Sequence, residues 1–201
     1  MAFVCTSCSF FSTRSDKSIA LLDEPELPIL SPKVAGVYLP IDSFQFTNQY
    51  ADTISQEDVK GKVYVAEFFF SSCPSICPVV SKQLKRVFKT YEIESNFMIL
   101  SHTIDPEHDT ILKLKDYYEN TLEIESVSNW HLLTGNRDAI YNLANFSYGA
   151  VVYNDDNKLK NNIMHSGALL LVDREGFVRG MYDGKDKESV DRLIADIRKL
   201  L

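Results

Sequence analysis

The chain has 201 residues, 45% of them hydrophobic, and a net charge of −7. That is enough apolar material for one domain with a full core, plus tails. No patch able to hold phosphates is visible in this acidic sequence, so nucleic acid is not an expected partner. No apolar run reaches the length of a membrane span.

Residues 1–35 read as a tail or tether, and a single domain runs from about Gly36 to Leu201. Pro25, Pro28, Pro32 and Pro40 break any helix near the start. The first eight residues lack a charged n-region and a full apolar h-region. Two readings stand side by side: a disordered end, or the stump of a secretion signal whose cysteine, Cys5 or Cys8, takes a lipid. The Cys5/Cys8 spacing is also a metal-ligand spacing, although a lone pair in a tail carries little. With a core of this size the four cysteines are not a disulfide scaffold.

Ser43–Thr47 and Asp52–Ile54 predict a short hairpin with Phe44 and Phe46 on one face. Ser55–Asp58 predicts a capped helical turn, and Gly61-Lys62 a tight turn. Val63–Phe70 is continuous in apolar character, as buried parallel strands are. Glu67 is the exception within it, read as outward-facing or paired. Pro78–Tyr91 predicts a helix, with apolar residues at Val79, Val80, Leu84, Val87, Phe88 and Tyr91. Phe97–Ile104 predicts a second central strand. Asp109 is expected to cap a helix through Asn120, and Asn136 one through Asn145, with a short strand at Trp130–Leu133 between them. Ala168–Val172 and Phe177–Tyr182 predict a hairpin turning at Gly176 with positive φ. Lys187–Leu201 predicts an amphipathic closing helix. This order, β-α-β, a crossover helix, a β-hairpin and a final helix, is the thioredoxin arrangement. The expected fold is α/β, with a mixed central sheet flanked by helices and an extra N-terminal hairpin.

The chemistry concentrates at Cys73-Pro74-Ser75-Ile76-Cys77-Pro78, where a buried strand ends and a helix begins. Each cysteine precedes a proline, which disfavours the α conformation there and favours a tight loop. Pro78 suits a first helical position. Cys77 is therefore expected to cap the helix, with its sulfur facing the positive dipole end and its thiolate favoured. The two parallel strands expose their carboxyl ends on one sheet edge. That edge receives Cys73/Cys77 after the first strand and Asp105-Pro106-Glu107-His108-Asp109 after the second. The hairpin strand near Ala168 should run antiparallel, so its beginning, with His165, lies on the same edge. Two thiols, an imidazole and a carboxylate thus converge from distant parts of the sequence. Thioredoxin-type oxidoreductases usually carry C-x-x-C and a cis-proline before the hairpin strand. Here the spacing is C-x-x-x-C, and the segment Asn161–Gly167 has no proline. Two thiolates and an imidazole form a soft set that suits Cu(I) best and can hold Cu(II). Zinc would want a fourth ligand or water. The same thiols can close a disulfide, which would remove two ligands.

These segments resemble the Sco/SenC family. Cys73–Pro78 is similar to its C-P-x-x-C-P signature, and Thr103–Thr110 to its V-D-P-E-R-D-T segment. His165 matches its distal histidine, and Tyr182-Asp183-Gly184 its late turn. The likeness covers roughly Pro40 to Leu201. It implies a thioredoxin-fold, membrane-tethered protein on the periplasmic side of the bacterial inner membrane, binding copper through Cys73, Cys77 and His165. It also implies a role in assembling the dinuclear copper A centre of cytochrome c oxidase subunit II, by copper delivery, thiol reduction or both. His108 departs from the family's usual Arg, and no transmembrane anchor is present, so tethering would rest on a lipid or on further residues. A monomeric copper metallochaperone is the first functional expectation. A thiol–disulfide oxidoreductase using the Cys73/Cys77 pair is the alternative. A peroxide-reducing enzyme is disfavoured, because no T-x-x-C arrangement precedes Cys73.

Asp105 divides evenly between a plain turn residue and a group that orients His165 or takes a thiol proton. His102 and His131 are expected to pack within strands, and His108 to be a solvated loop residue. Met164 reads as core filler before it reads as an auxiliary ligand, and Asp155-Asp156 as a solvated turn.

Overall fold

The computed structural model describes residues 26–124, 129–149 and 167–201. The chain first forms two small hairpins. Strands β1 (Lys33–Val34) and β2 (Val37–Tyr38) pair with each other, as do β3 (Gln45–Thr47) and β4 (Thr53–Ser55). The second is the expected N-terminal hairpin, and a bridge between Thr47 and Thr134 ties it to the rest. Residues ahead of Gly36 are also tied in, since the Leu30 N–H donates to the Val178 carbonyl and the buried Ser31 hydroxyl accepts the Val178 N–H.

A short helix α1 (Gln56–Val59), opened by a capping box of Ser55 and Asp58, leads into the central strand β5 (Val63–Phe69). There follow α2 (Cys77–Tyr91), β6 (Phe97–Thr103), α3 (Ile111–Asp116), β7 (Trp130–Leu133), α4 (Arg137–Asn142), β8 (Ala168–Val172), β9 (Val178–Asp183) and α5 (Lys187–Leu200). Both α3 and α4 end in a π-helical turn, Tyr117–Thr121 and Leu143–Ser147. The five main strands are ordered β7-β6-β5-β8-β9. β5, β6 and β7 run parallel, β8 runs antiparallel to β5, and β9 turns back antiparallel to β8 and so parallel to the other three. This is the expected mixed sheet.

All seven residues of β5 and of β6 are buried, because helices and hairpins cover both faces. The strand period of two sorts their side chains. Val63, Val65, Phe69, Ile99, Leu169 and Leu171 face a layer containing α2, α3 and α5. Tyr64, Ala66, Phe68, Leu100, Leu170 and Val172 face a layer containing α4 and the β3–β4 hairpin. Glu67 and Ser101 fall on the α2 side by the same alternation. The turn between β8 and β9 places Gly176 at φ +86°, as expected.

Two helix starts differ from expectation. Cys77 is the first residue of α2 rather than its cap, Ile76 holds the cap position, and Pro78 follows within the first turn. The cap of α3 is Thr110, whose hydroxyl accepts the Lys113 N–H, and not Asp109. Val79 also departs from the helix's inward set, being 45% exposed beside the dithiol.

Candidate metal and redox site

The carboxyl end of β5 delivers Phe70, Ser71 and Ser72 to Cys73. The Cys73 N–H donates back to the Phe70 carbonyl at 3.2 Å, closing a tight turn. The Val79 and Val80 N–H groups both donate to the Ile76 carbonyl at 3.0 Å, which starts α2 immediately. Both cysteines are free thiols, and both are buried, at 6% and 5% exposure. Their sulfurs are directly linked by a side-chain hydrogen bond.

The two thiols are not equivalent. Burial works against ionisation of Cys73, but the backbone N–H groups of Cys77 and Ser75 point at its sulfur, and the Cys77 thiol and Ser75 hydroxyl add to them. Together they bring Cys73 below the ordinary thiol pKa. Cys77 moves strongly the other way. Burial is the main cause, and its bond to Cys73 together with the charge of Glu67 add to the rise. Contrary to the expectation for Cys77, the thiol whose ionisation is favoured is Cys73, and Cys77 holds its proton more strongly.

Sequence reasoning missed the polar floor behind this pair. The Trp130 indole N–H donates to the Ser101 hydroxyl at 2.9 Å, and that hydroxyl donates to the Glu67 carboxyl at 2.5 Å. Glu67 is thus paired and fully inside, and burial raises its pKa to about 7. The signal was available: Glu67 and Ser101 are direct partners in the parallel β5–β6 register. Tyr117 stands nearby, with its hydroxyl 3.0 Å from the Ser81 hydroxyl. Burial, with the charges of Glu67 and the two cysteines, pushes its phenol up to about 12.

The loop after β6 reaches the same edge. The Ile104 N–H donates to the Phe69 carbonyl, joining the two strand ends. Asp105 binds the His108 ring at 2.8 Å rather than a thiol. This pairing raises the His108 pKa, first through the hydrogen bond to Asp105. Asp109 is fully buried. Its carboxylate accepts the Ser71 N–H at 3.0 Å, the Ser71 hydroxyl at 2.5 Å and the Thr103 hydroxyl at 2.5 Å.

His102 and His131 lie in strands, as expected. His102 is caged by Phe44, Phe46, Phe68 and Tyr148, with no hydrogen-bond partner at either ring nitrogen. Burial lowers its pKa to about 3 and that of His131 to about 4.

His165, Met164, Asp155-Asp156, Cys5 and Cys8 lie outside the described residues. Among the described residues, no group of three or more His, Cys, Asp or Glu is arranged to hold a metal ion. The chain re-enters at Gly167, two residues beyond His165. A Cβ placed there would sit 3.2 Å from Val80 and 3.6 Å from Ile76, so its backbone lies against the dithiol segment. Gly184, whose N–H donates to the Gly167 carbonyl at 2.9 Å, has no room for a Cβ either.

A sequence model of the SCO1/SenC family matches residues 38–201. The chain belongs to this family. It is 30% identical over 160 residues to the SCO1 protein homolog of Bacillus subtilis, covering 79% of this chain and 81% of the relative. Among solved structures it is similar to a SCO1/SenC family lipoprotein from Bacillus anthracis. There the TM-score is 0.71 at 29% identity, covering 80% of this chain and 94% of that one. It is equally similar, at TM-score 0.71 and 28% identity over 87% and 96% of the two chains, to BsSco. That structure is described as having a disulfide switch and as a member of the Sco family of cytochrome c oxidase assembly proteins. Bradyrhizobium japonicum ScoI with copper bound shares the fold at TM-score 0.65 and 21% identity, over 81% and 100% of the two chains. No helix among the described residues is long and apolar enough to cross a membrane.

Proposed function

We propose that this protein binds copper as cargo through Cys73, Cys77 and His165, and supplies the copper A centre of cytochrome c oxidase subunit II. The observation that carries this reading is the pair of free, hydrogen-bonded thiols at the strand exit, with the chain beyond His165 packed against the same segment. Two sulfurs are a soft donor set that favours Cu(I), and an imidazole completes it without excluding Cu(II). Zinc is less suited to so few ligands. Copper held by a fold relative supports the same reading. Asp105 is engaged by His108, so its contribution at the dithiol would be indirect. The protein would work as a monomer on the periplasmic face of the inner membrane. The tether would lie within residues 1–35, whose last stretch is hydrogen-bonded to β9, and 36–201 would form the copper-binding domain. A lipoprotein relative favours anchoring at Cys5 or Cys8.

The asymmetric thiols favour a second reading, thiol–disulfide exchange, as does the disulfide switch described for BsSco. Cys73 thiolate would attack a partner disulfide and release one partner thiolate. Cys77, losing its proton, would then displace the second partner sulfur from the mixed disulfide. The partner leaves as a dithiol and the Cys73–Cys77 disulfide remains. Copper titration of reduced wild type and of His165→Ala separates the two. Loss of affinity and of thiolate-to-copper absorption in the variant supports the copper site. Unchanged binding removes His165 from it and leaves exchange standing.

A further inference from the structure

We infer that Asp109 is a positioning residue that holds the Cys73 loop in its reduced geometry and so tunes the dithiol/disulfide balance. Three observations carry this. First, Asp109 is completely buried, although it follows an exposed histidine in a loop. A buried carboxylate is costly unless its acceptor sites are filled, and here neutral donors fill them. Second, those donors belong to the two strand exits that frame the dithiol. Ser71 gives both its N–H and its hydroxyl, two residues before Cys73, and Thr103 gives its hydroxyl from the last residue of β6. Third, the link continues outward. The Thr103 hydroxyl oxygen accepts the Asp105 N–H at 3.0 Å, and the Asp109 N–H donates to the Asp105 carbonyl at 2.8 Å. One carboxylate therefore locks the entry to the Cys73 loop onto the loop after β6. A short α3 capped by Thr110 leaves Asp109 free of helix-capping duty.

The locked geometry is that of two free thiols. Closing the disulfide brings the sulfurs to about 2.05 Å. That moves Cys73 and strains the Ser71 bonds just upstream. Asp109 thus stabilises the reduced pair relative to the oxidised one. The inference rests on Cys73/Cys77 being the working site, but not on copper.

The test is the equilibrium of the dithiol with glutathione. One oxidised glutathione and the protein dithiol give the protein disulfide and two reduced glutathiones. Wild type, Asp109→Ala, Asp109→Asn and Ser71→Ala are compared, with melting temperature followed in parallel. Asp109→Ala is expected to shift the constant toward the disulfide by about tenfold, or about 30 mV for this two-electron couple. Asp109→Asn, which keeps one carbonyl acceptor, and Ser71→Ala, which keeps the N–H donor, are expected to shift it less. Their double variant is expected to shift it by less than the sum, since both cut one link. If Asp109→Ala does not fold, the two milder variants decide. A lowered melting temperature with an unchanged constant, or a shift toward the dithiol, overturns the inference. Should neither wild type nor variants bind copper while the constant still shifts, the copper reading falls and the positioning role stands.

Discussion

Replacing Glu67 by Gln is expected to make the stability of this protein less dependent on pH, by an amount the buried network sets. Burial moves the carboxyl pKa from 4.5 to about 7, against a smaller opposing effect of the Ser101 hydroxyl. That displacement corresponds to roughly 3 kcal/mol. The folded state keeps this proton at pH values where the unfolded chain has already lost it. Stability from this group is therefore complete below about pH 4.5 and is lost as pH rises through about 7. Gln cannot ionise, yet its amide still offers Ser101 an acceptor. The variant should gain on wild type steadily from pH 4.5 to pH 8, by about 3 kcal/mol at the end. His102 and His131 contribute the opposite slope, because their folded pKa values of about 3 and about 4 lie below the unfolded value. They are present in both proteins and cancel in the difference. The assay is urea unfolding under reducing conditions without copper, at half-unit pH steps. Trp130, the single tryptophan, donates to the hydroxyl that binds Glu67, so its fluorescence should titrate with a midpoint near 7 in wild type only. A stability difference that stays flat with pH would refute the reasoning.

Other outcomes follow from the same geometry. In the reduced protein, iodoacetamide at pH 7 should modify Cys73 at least about tenfold faster than Cys77, read by peptide mass spectrometry. Equal rates would contradict the asymmetry of the pair. His102→Phe should stabilise the protein by about 1–3 kcal/mol, since it removes two buried unpartnered nitrogens from an aromatic cage. The gain should grow below pH 6.5, where wild type loses stability toward its folded pKa of about 3. Acid unfolding monitored by circular dichroism checks both signs. Trp130→Phe should cost about 1 kcal/mol or more by cutting the indole bond to Ser101, and urea midpoints will measure it.

Much of this could be read from the sequence because period and punctuation agree with tertiary structure. The Val63–Phe69 run, the Phe97–Thr103 run and the Gly176 turn each have one local solution, and the sheet accepts it. The direction of β8 followed from chain order, and Gly167 just before that strand sits against Ile76 of the dithiol segment. Local signals failed where two residues compete for one duty. Asp109 and Thr110 are both good caps. The choice went to Thr110 because Ser71 and Thr103, 38 and 6 positions away, claim the carboxylate. Cys77 enters the helix rather than capping it because Ile76 already has helical dihedrals. The ranking of the two thiols was hidden as well, since it depends on which sulfur the Ser75 and Cys77 N–H groups reach.

That ranking has a consequence for cargo. A thiolate binds soft metal, a thiol does not, so copper held by both sulfurs must displace the proton of Cys77. Cys73 contributes less to this requirement, because its neighbours favour ionisation. Cys77 contributes most of it, because burial and the Glu67 charge hold its proton well above the ordinary range. Copper affinity should therefore rise by at least about tenfold per pH unit between pH 6 and pH 8, with at least about one proton released per metal bound. Under the proposed copper role, reprotonation of Cys77 would give a route to release, opening one ligand position while Cys73 held the ion. Competition against a chromophoric Cu(I) chelator at several pH values measures the slope, and titration in buffers of different ionisation enthalpy counts the proton. A pH-independent affinity would mean that Cys77 is already ionised or does not ligate. Cys77→Ser distinguishes these outcomes, because only a ligating sulfur leaves a loss of affinity when it is removed.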